Sequence, residues 1–196
     1  GIDISTIKAP NDLNIKSIYN PNWCLIVDHA VGFKFTSFHS SKNGIVQPTI
    51  NNFKKWARMG KPVQFVRCDN AGKKKKLEQE CDKAGLDIQF EYTARETPQQ
   101  NSKVEKKFET LYGRGRAMFE EANIPEKLKY SLFREMYKHT TDLDNLTPIE
   151  YNNTTKSRYE HCGHELPKWI NHMKVWGEAG VVKLKTNSTS KLQNRG

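Results

Sequence analysis

Segments with β character alternate with segments of helical periodicity over the first 93 residues, and this order limits the folds open to the chain. The apolar run "WCLIVDH" (Trp23–His29) predicts a buried strand, and "FKFTSFH" (Phe33–His39) alternates with the period of a strand. Gly32 lies between them and favours a turn, which makes the pair an antiparallel hairpin. "GIDIS", "PVQFVRC" and "LDIQFEYT" predict three further strands. The order β, β, β, α, β, α, β predicts a mixed α/β fold with five strands and helical cover.

The segments between and after these strands carry apolar residues at helical intervals. "PTINNFKKWARMG" ends at Gly60 and "GKKKKLEQECDKAG" ends at Gly85, and glycine suits a helix C-terminus. From Ser102 onward apolar residues again share one helical face, although Gly113 and Gly115 predict a kink or break there.

The C-terminal third predicts a smaller helical and hairpin extension. "PEKLKYSLFREMYKHTTDL" predicts a helix with Pro125 in its first turn, "TPIEY" a short helix, and "MKVWGEAGVVKLK" a hairpin. The polar tail from Thr186 is expected to be disordered. We therefore divide the chain into a core (1–123), a helical and hairpin extension (124–185) and a tail (186–196).

The chain is strongly basic, with 32 Lys and Arg against 22 Asp and Glu and a formal net charge of +10. This excess indicates a polyanionic partner, with nucleic acid ahead of a membrane surface; an ordinary solvated basic surface is the alternative. No apolar run approaches the roughly 18 residues that a membrane span requires, and no signal-peptide pattern is visible. We expect a soluble intracellular protein with no membrane partner.

The cysteines give little sign of a metal site or a disulfide framework. The four, Cys24, Cys68, Cys81 and Cys162, contain no C-x-x-C pair, so we expect reduced thiols. The segment "HCGH" (161–164) offers possible ligands, but no second pair lies at zinc-finger spacing around it, so a metal there is not favoured.

Three acids stand out by position: Asp3 in the first strand, Asp69 at the carboxyl end of a later strand, and Glu105 one turn inside a helix. Ligands of open α/β sheets gather at the carboxyl ends of strands, and the 35 residues between Asp69 and Glu105 allow the chain to return to that edge. Three carboxylates could hold two divalent ions for phosphoryl transfer. Each acid also has a plainer interpretation, since Asp69 could cap a helix and Glu105 could pair with a lysine of its own helix.

The motifs "CDNAG", "ECDKAGLDIQFEYT" and "TPQQNSKVEKKFETL" together resemble the catalytic core of retroelement integrases, and most closely the copia-type (Pseudoviridae) retrotransposon group. The resemblance extends over about residues 1–185. In that family an Asp-Asn turn and a Thr-Pro-Gln-Gln-Asn loop precede a helical catalytic Glu at the same 35-residue spacing. Ser102 stands where the family usually has Gly, and Lys74–Lys76 stand where it often has acidic or polar residues.

The resemblance implies a ribonuclease-H-like mixed five-stranded sheet and a polynucleotidyl transferase with endonuclease activity. It would trim the 3′ ends of element DNA and join them to target DNA. The implied catalytic and metal-binding residues are Asp3, Asp69 and Glu105, holding two Mg²⁺ (or Mn²⁺) ions. Asp28 in "VDHAVG" is the alternative first acid, but "GIDIST" matches the family's first strand better, and we choose Asp3.

The loop and helix around Glu105 are expected to bind DNA. The candidates are Gln99, Gln100, Asn101, Lys103, Lys106 and Lys107, the lysines through phosphates; ordinary helix solubility is the alternative for each lysine. The family implies element and target DNA as partners, a homo-oligomer, and a location in the nucleus and in cytoplasmic virus-like particles. The family's zinc module is not visible, so we expect a core fragment.

Two other functions remain open on the sequence alone. One is a domesticated, catalytically inactive domain that binds DNA or protein, although all three carboxylates are present. The other is a nuclease that stops at hydrolysis.

Overall fold

The computed structural model describes residues 1–15, 17–69, 72–93, 102–178 and 180, and side chains throughout these except at 72–74 and 102. The strands are β1 (Ile2–Thr6), β2 (Asn22–Val27), β3 (Lys34–His39), β4 (Phe65–Asp69), β5 (Gln89–Thr93), β6 (Pro148–Tyr151) and β7 (Thr154–Ser157). The helices are α1 (Val46–Arg58), α2 (Gly72–Lys83), α3 (Ser102–Glu121), α4 (Glu126–Leu146) and α5 (Arg158–His161), with 3-10 turns at Asn11–Leu13, Lys42–Ile45 and Lys168–His172. The predicted mixed α/β order is confirmed for the first 93 residues.

The strands form separate sheets in the described part of the chain. β1, β2 and β3 make an antiparallel sheet in that order, β4 and β5 make a parallel pair, and β6 and β7 make an antiparallel pair. A single five-stranded sheet is therefore not seen among the described residues. Ile2 in β1 and Val66 in β4 both line a cavity of about 690 Å³. In the described residues these two strands are not paired to each other by backbone hydrogen bonds of a sheet.

Two apolar cores lie on opposite faces of the three-stranded sheet. Ile2 and Cys24 pack with α1 and α2, whereas Trp23, Leu25 and Val27 pack with α3 and α4. β2 is thus buried on both faces, and this explains why its sequence is a continuous apolar run without alternation.

Helix α3 is continuous through Gly113 and Gly115, so the predicted break is wrong. A Cβ built on Gly115 would lie 2.5 Å from Met136 Sδ and 2.6 Å from Tyr137 Cε1, both on α4. Glycine is present at 115 because α4 crosses closely at that point, and the close packing of two helices offsets its low helix propensity.

The segment "TPIEY" forms strand β6 instead of the predicted short helix. It pairs with β7 through a two-residue turn at Asn152 and Asn153, whose φ angles of 49° and 56° are both left-handed. Asparagine tolerates this region well, and a two-residue turn of this kind selects a hairpin.

Part of the predicted C-terminal structure falls outside the described residues. Of the hairpin predicted at 173–185, the structure describes 173–178 and 180, and none of these is in a strand. The tail at 186–196 lies outside the described residues. Within the described chain, no helix combines the length and apolar character that crossing a bilayer requires.

Candidate active site

Asp3 lies near the start of β1 and is half-buried, opposite Leu25 of β2. Its carboxylate Oδ1 accepts a hydrogen bond of 2.8 Å from the Ile4 amide. Side chains alternate along a strand, so Asp3 shares its face with Gly1 and Ser5. That face is directed away from Ile2, which belongs to the core under α1 and α2.

Two contacts on this face fix β1 against α3. The Ser5 Oγ and the Tyr112 hydroxyl are 2.7 Å apart, and a Cβ built on Gly1 would lie 2.5 Å from Val104 Cγ2. Asp3 lies between these two contacts in sequence. It therefore lies on the face of the sheet that α3, the helix of Glu105, covers.

Asp69 is the last residue of β4 and lies opposite Thr93 of β5. It is half-buried. β4 comes close to the start of β1 at Arg67, two residues before Asp69. A Cβ built on Gly1 would be 3.7 Å from the Arg67 carbonyl oxygen. Asp69 is thus carried on the strand that adjoins the strand of Asp3.

Glu105 lies in the first turn of α3 and is exposed. A carboxylate is favourable there because the helix N-terminus carries partial positive charge. Lys103 and Lys106 are exposed beside it and Lys107 is half-buried. The other predicted DNA-binding residues, Gln99, Gln100 and Asn101, lie outside the described residues.

The three carboxylates lie on adjoining elements but do not form a preorganised metal-binding site. Among the described residues, no group of three or more His, Cys, Asp or Glu side chains is arranged to hold a metal ion. The chemistry of the donor set nevertheless fits Mg²⁺ or Mn²⁺, because all three side chains offer the hard carboxylate oxygens that these ions take.

Asp28, the alternative first acid, has a structural position in the β2–β3 turn. Its side-chain Oδ2 accepts a 2.8 Å hydrogen bond from the Val31 amide, and its backbone exchanges hydrogen bonds with Gly32 and Phe33. Asp28 is exposed. These contacts explain the acid by turn formation alone.

His29 is a residue beside this region that sequence reasoning did not single out. Its Nε2 is buried and has no hydrogen-bond partner among the described residues. The pKa of His29 is lowered to about 4, chiefly by burial, with the positive charges of the N-terminus, Lys103 and Arg67 contributing to the shift. The ring also lies against Gly1, where a built Cβ would be 2.8 Å from Nε2. A histidine in a polar turn gives no sequence signal of such burial.

The "HCGH" segment packs instead of gathering ligands. The His164 ring lies 4.7 Å from the Tyr159 ring and 5.7 Å from the Phe33 ring, centroid to centroid, while His161 lies against Tyr151. The four cysteines are free thiols, three of them buried.

Comparison with known proteins identifies solved structures that have a similar fold. No family model matches the sequence, and no curated protein matches it. A chain of the simian T-cell lymphotropic virus intasome, solved by cryo-EM in complex with PP2A regulatory subunit B56 gamma, is similar at 17% identity and a TM-score of 0.58. That match covers 94% of this chain and 59% of the other, so this chain spans about three fifths of that relative.

The HTLV-2 integrase catalytic core domain, solved in complex with magnesium in a dimeric form, is similar at 16% identity and a TM-score of 0.51. The match covers 82% of this chain and 92% of that domain. At such identities the likeness establishes the fold alone. The fold of this chain is similar to that of the HTLV-2 integrase catalytic core domain.

Proposed function

We propose that this chain is the catalytic core of a retroelement integrase of the copia type, which trims the 3′ ends of element DNA and joins them to target DNA. The observation that supports the proposal is the packing of β1, the strand of Asp3, against α3, the helix of Glu105, at the Gly1–Val104 and Ser5–Tyr112 contacts. In an integrase-like fold this placement puts the carboxylate of β1 next to the helix that carries Glu105.

The position of β4 supports including Asp69 in the same site. In a ribonuclease-H-like sheet β4 runs beside β1 in the same direction. Gly1 adjoins Arg67, and Asp3 and Asp69 each lie two residues further along their strands, so this arrangement sets them level with each other. The continuous five-stranded sheet is part of the proposal.

Asp3, Asp69 and Glu105 would hold the divalent ions, two Mg²⁺ or Mn²⁺. When bound, such ions activate the attacking oxygen and stabilise the leaving oxygen of a phosphodiester. The exposed amines of Lys103 and Lys106 would bind DNA phosphates beside these carboxylates and offset the repulsion between DNA and the acids. Lys107 would also contact DNA phosphates, and Gln99, Gln100 and Asn101 are proposed to hold the DNA end.

Several wider properties remain proposals. The dimeric HTLV-2 core and the viral intasome suggest DNA and a second copy of the chain as partners here. A nuclear location, a virus-like particle, and the division at residues 123 and 185 stay predictions from the sequence.

A catalytically inactive DNA- or protein-binding domain is the second candidate. One observation favours it: the described carboxylates do not form a ready metal-binding group. An inactive relative would keep the fold and the basic surface without needing that group.

Metal binding separates the two candidates. We would titrate Mn²⁺ and Mg²⁺ into the chain by calorimetry with a short DNA duplex present, using the wild type, Asp69→Asn and Asp28→Asn. The integrase proposal expects binding that Asp69→Asn abolishes and Asp28→Asn preserves, because Asp28 belongs to a turn. Equal binding by the wild type and Asp69→Asn, or none at all, would favour the inactive domain.

A strand-transfer assay then separates an integrase from a nuclease. With a pre-trimmed DNA end, an integrase joins the 3′ hydroxyl to target DNA, whereas a nuclease that stops at hydrolysis gives no joined product.

A further inference from the structure

We propose that Tyr112 is a positioning residue which, through its hydrogen bond to Ser5, sets the distance and rotation of α3 relative to β1 and so places Glu105 with respect to Asp3. The inference rests on the proposed function, since it concerns how that site is assembled. It assigns a role to two hydroxyl groups outside the proposed set of metal ligands.

The hydrogen bond joins the two elements that carry the proposed ligands. Ser5 Oγ and Tyr112 OH are 2.7 Å apart and partly buried, although the residues are 107 positions apart in sequence. Ser5 lies two residues after Asp3 on the same face of β1, about 7 Å along the strand. Tyr112 lies seven residues after Glu105, about two turns or roughly 10 Å along α3, and therefore on the same helical face.

The aromatic ring of Tyr112 is held independently of its hydroxyl. It packs edge-to-face on Trp23 with 5.1 Å between centroids and on Tyr137 at 5.1 Å. Trp23 is fully buried and lies directly opposite Ser5 in the β1–β2 ladder. The packing of the ring therefore holds the hydroxyl in position beside Ser5. A phenylalanine at this position would keep the ring packing and lose only the hydrogen bond to Ser5.

Burial raises the pKa of Tyr112, so the phenol stays protonated at neutral pH. The bond is a neutral hydroxyl–hydroxyl contact, and salt has little effect on it. Its importance lies in its geometry, because a hydrogen bond is directional, whereas the Gly1–Val104 contact on the same face is apolar and nondirectional.

A small movement of α3 would matter at Glu105. A rotation of the helix by about 20° would displace a carboxylate about 6 Å from the axis by roughly 2 Å, whereas a metal site must be held within about 0.5 Å. A directional bond two turns from Glu105 resists both that rotation and sliding along β1.

The test measures Mn²⁺ affinity by calorimetry on the full chain with a DNA duplex present, for Tyr112→Phe, Ser5→Ala and the double variant. Each single change should weaken Mn²⁺ binding about 3- to 10-fold, the range expected for one hydrogen bond. The double variant should be no weaker than the weaker single, because both remove the same bond. Ser5→Thr keeps a hydroxyl and should retain near wild-type affinity.

Tyr151→Phe is the matched control, since it removes the same group from the exposed strand β6. If Tyr112→Phe leaves Mn²⁺ affinity unchanged while Asp69→Asn abolishes it, Tyr112 has no positioning role and the proposed function stands. Additive effects in the double variant, or an equal loss in Tyr151→Phe, would also overturn the inference. If the wild type binds no Mn²⁺, the proposed function itself fails and this inference with it.

Discussion

Lys34 of β3 and Asp144 of α4 form an ion pair in which the lysine side chain is fully buried and the aspartate is 7% exposed. Arg114 of α3 lies 2.5 Å from the Asp144 carboxylate, and Asn145 exchanges two hydrogen bonds with the Lys34 backbone at 2.8 and 2.7 Å. Burial disfavours the charged form of Asp144, but Lys34, Arg158 and Arg114 more than offset it, so its pKa is lowered. The pair ties the edge of the sheet to the helices that cover it.

Asp144→Asn should destabilise the protein by about 3–5 kcal/mol, because it leaves the Lys34 ammonium buried without its carboxylate. Urea unfolding measures the change. Asp142→Asn is the control on the same helix; it breaks an exposed i,i+4 pair with Lys138 and should cost no more than about 0.5 kcal/mol. An equal loss of unfolding free energy in the two variants would mean that the buried ion pair stabilises the protein no more than the exposed pair.

The two glycines of α3 should respond oppositely to alanine. Gly115→Ala places a methyl group 2.5 Å from the fully buried Met136, and we expect a loss of about 1–3 kcal/mol from overpacking. Gly113→Ala meets no described atom within 4 Å and should gain about 0.5–1 kcal/mol from helix propensity. Thermal unfolding of the two variants measures both changes in stability. A more stable Gly115→Ala variant would show that α4 shifts to accommodate the methyl group at little cost.

His29 should make stability depend on pH between about 6.5 and 4. Its pKa is lowered to about 4 in the folded chain, mainly by burial, so the unfolded chain binds one more proton in this window. Stability is fully present above pH 6.5 and falls as the pH drops toward 4, by about 1–2 kcal/mol, since solvent screens this partly exposed ring. His29→Gln cannot titrate and should show a shallower decline in urea unfolding measured from about pH 7 to about pH 4. Parallel wild-type and variant curves would contradict the assignment.

The sequence predicted the elements whose signals are local. Trp23–His29 and Phe33–His39 are visible as a hairpin because a doubly buried strand is uniformly apolar and an edge strand alternates. Gly60 and Gly85 end their helices with φ of 73° and 69°, a conformation that glycine adopts without strain. These features need no knowledge of what packs above them.

The features that the sequence did not predict depend on distant contacts or on two competing local signals. Gly115 looks like a helix breaker until α4 is seen against it. Pro148 is compatible with both a helix start and an edge strand. The Asn152–Asn153 turn favours the strand because it lets residues 148–151 pair with β7 as a hairpin. Among the site residues, the facing of Asp3 toward α3 follows from the Ser5–Tyr112 bond, which joins residues 107 apart.

The lysines beside Glu105 should contribute to DNA binding through phosphates and not through base recognition. Lys103 and Lys106 are exposed at the start of α3, so the double change to alanine should weaken binding to DNA duplexes of different sequence equally. The slope of log K against log salt should fall in magnitude by about 0.9 for each phosphate that the variant no longer neutralises, so by about 2 in total.

Two other lysines give a control of equal charge. Lys83 pairs with Glu80 on α2, and Lys138 pairs with Asp142 on α4. Changing both to alanine lowers the net charge by the same amount, but away from Glu105, and should leave the salt slope within about 0.5 of the wild-type value. An equal fall in both double variants would mean that DNA responds to net charge alone, and the lysines of α3 would then have no special place in the DNA interface.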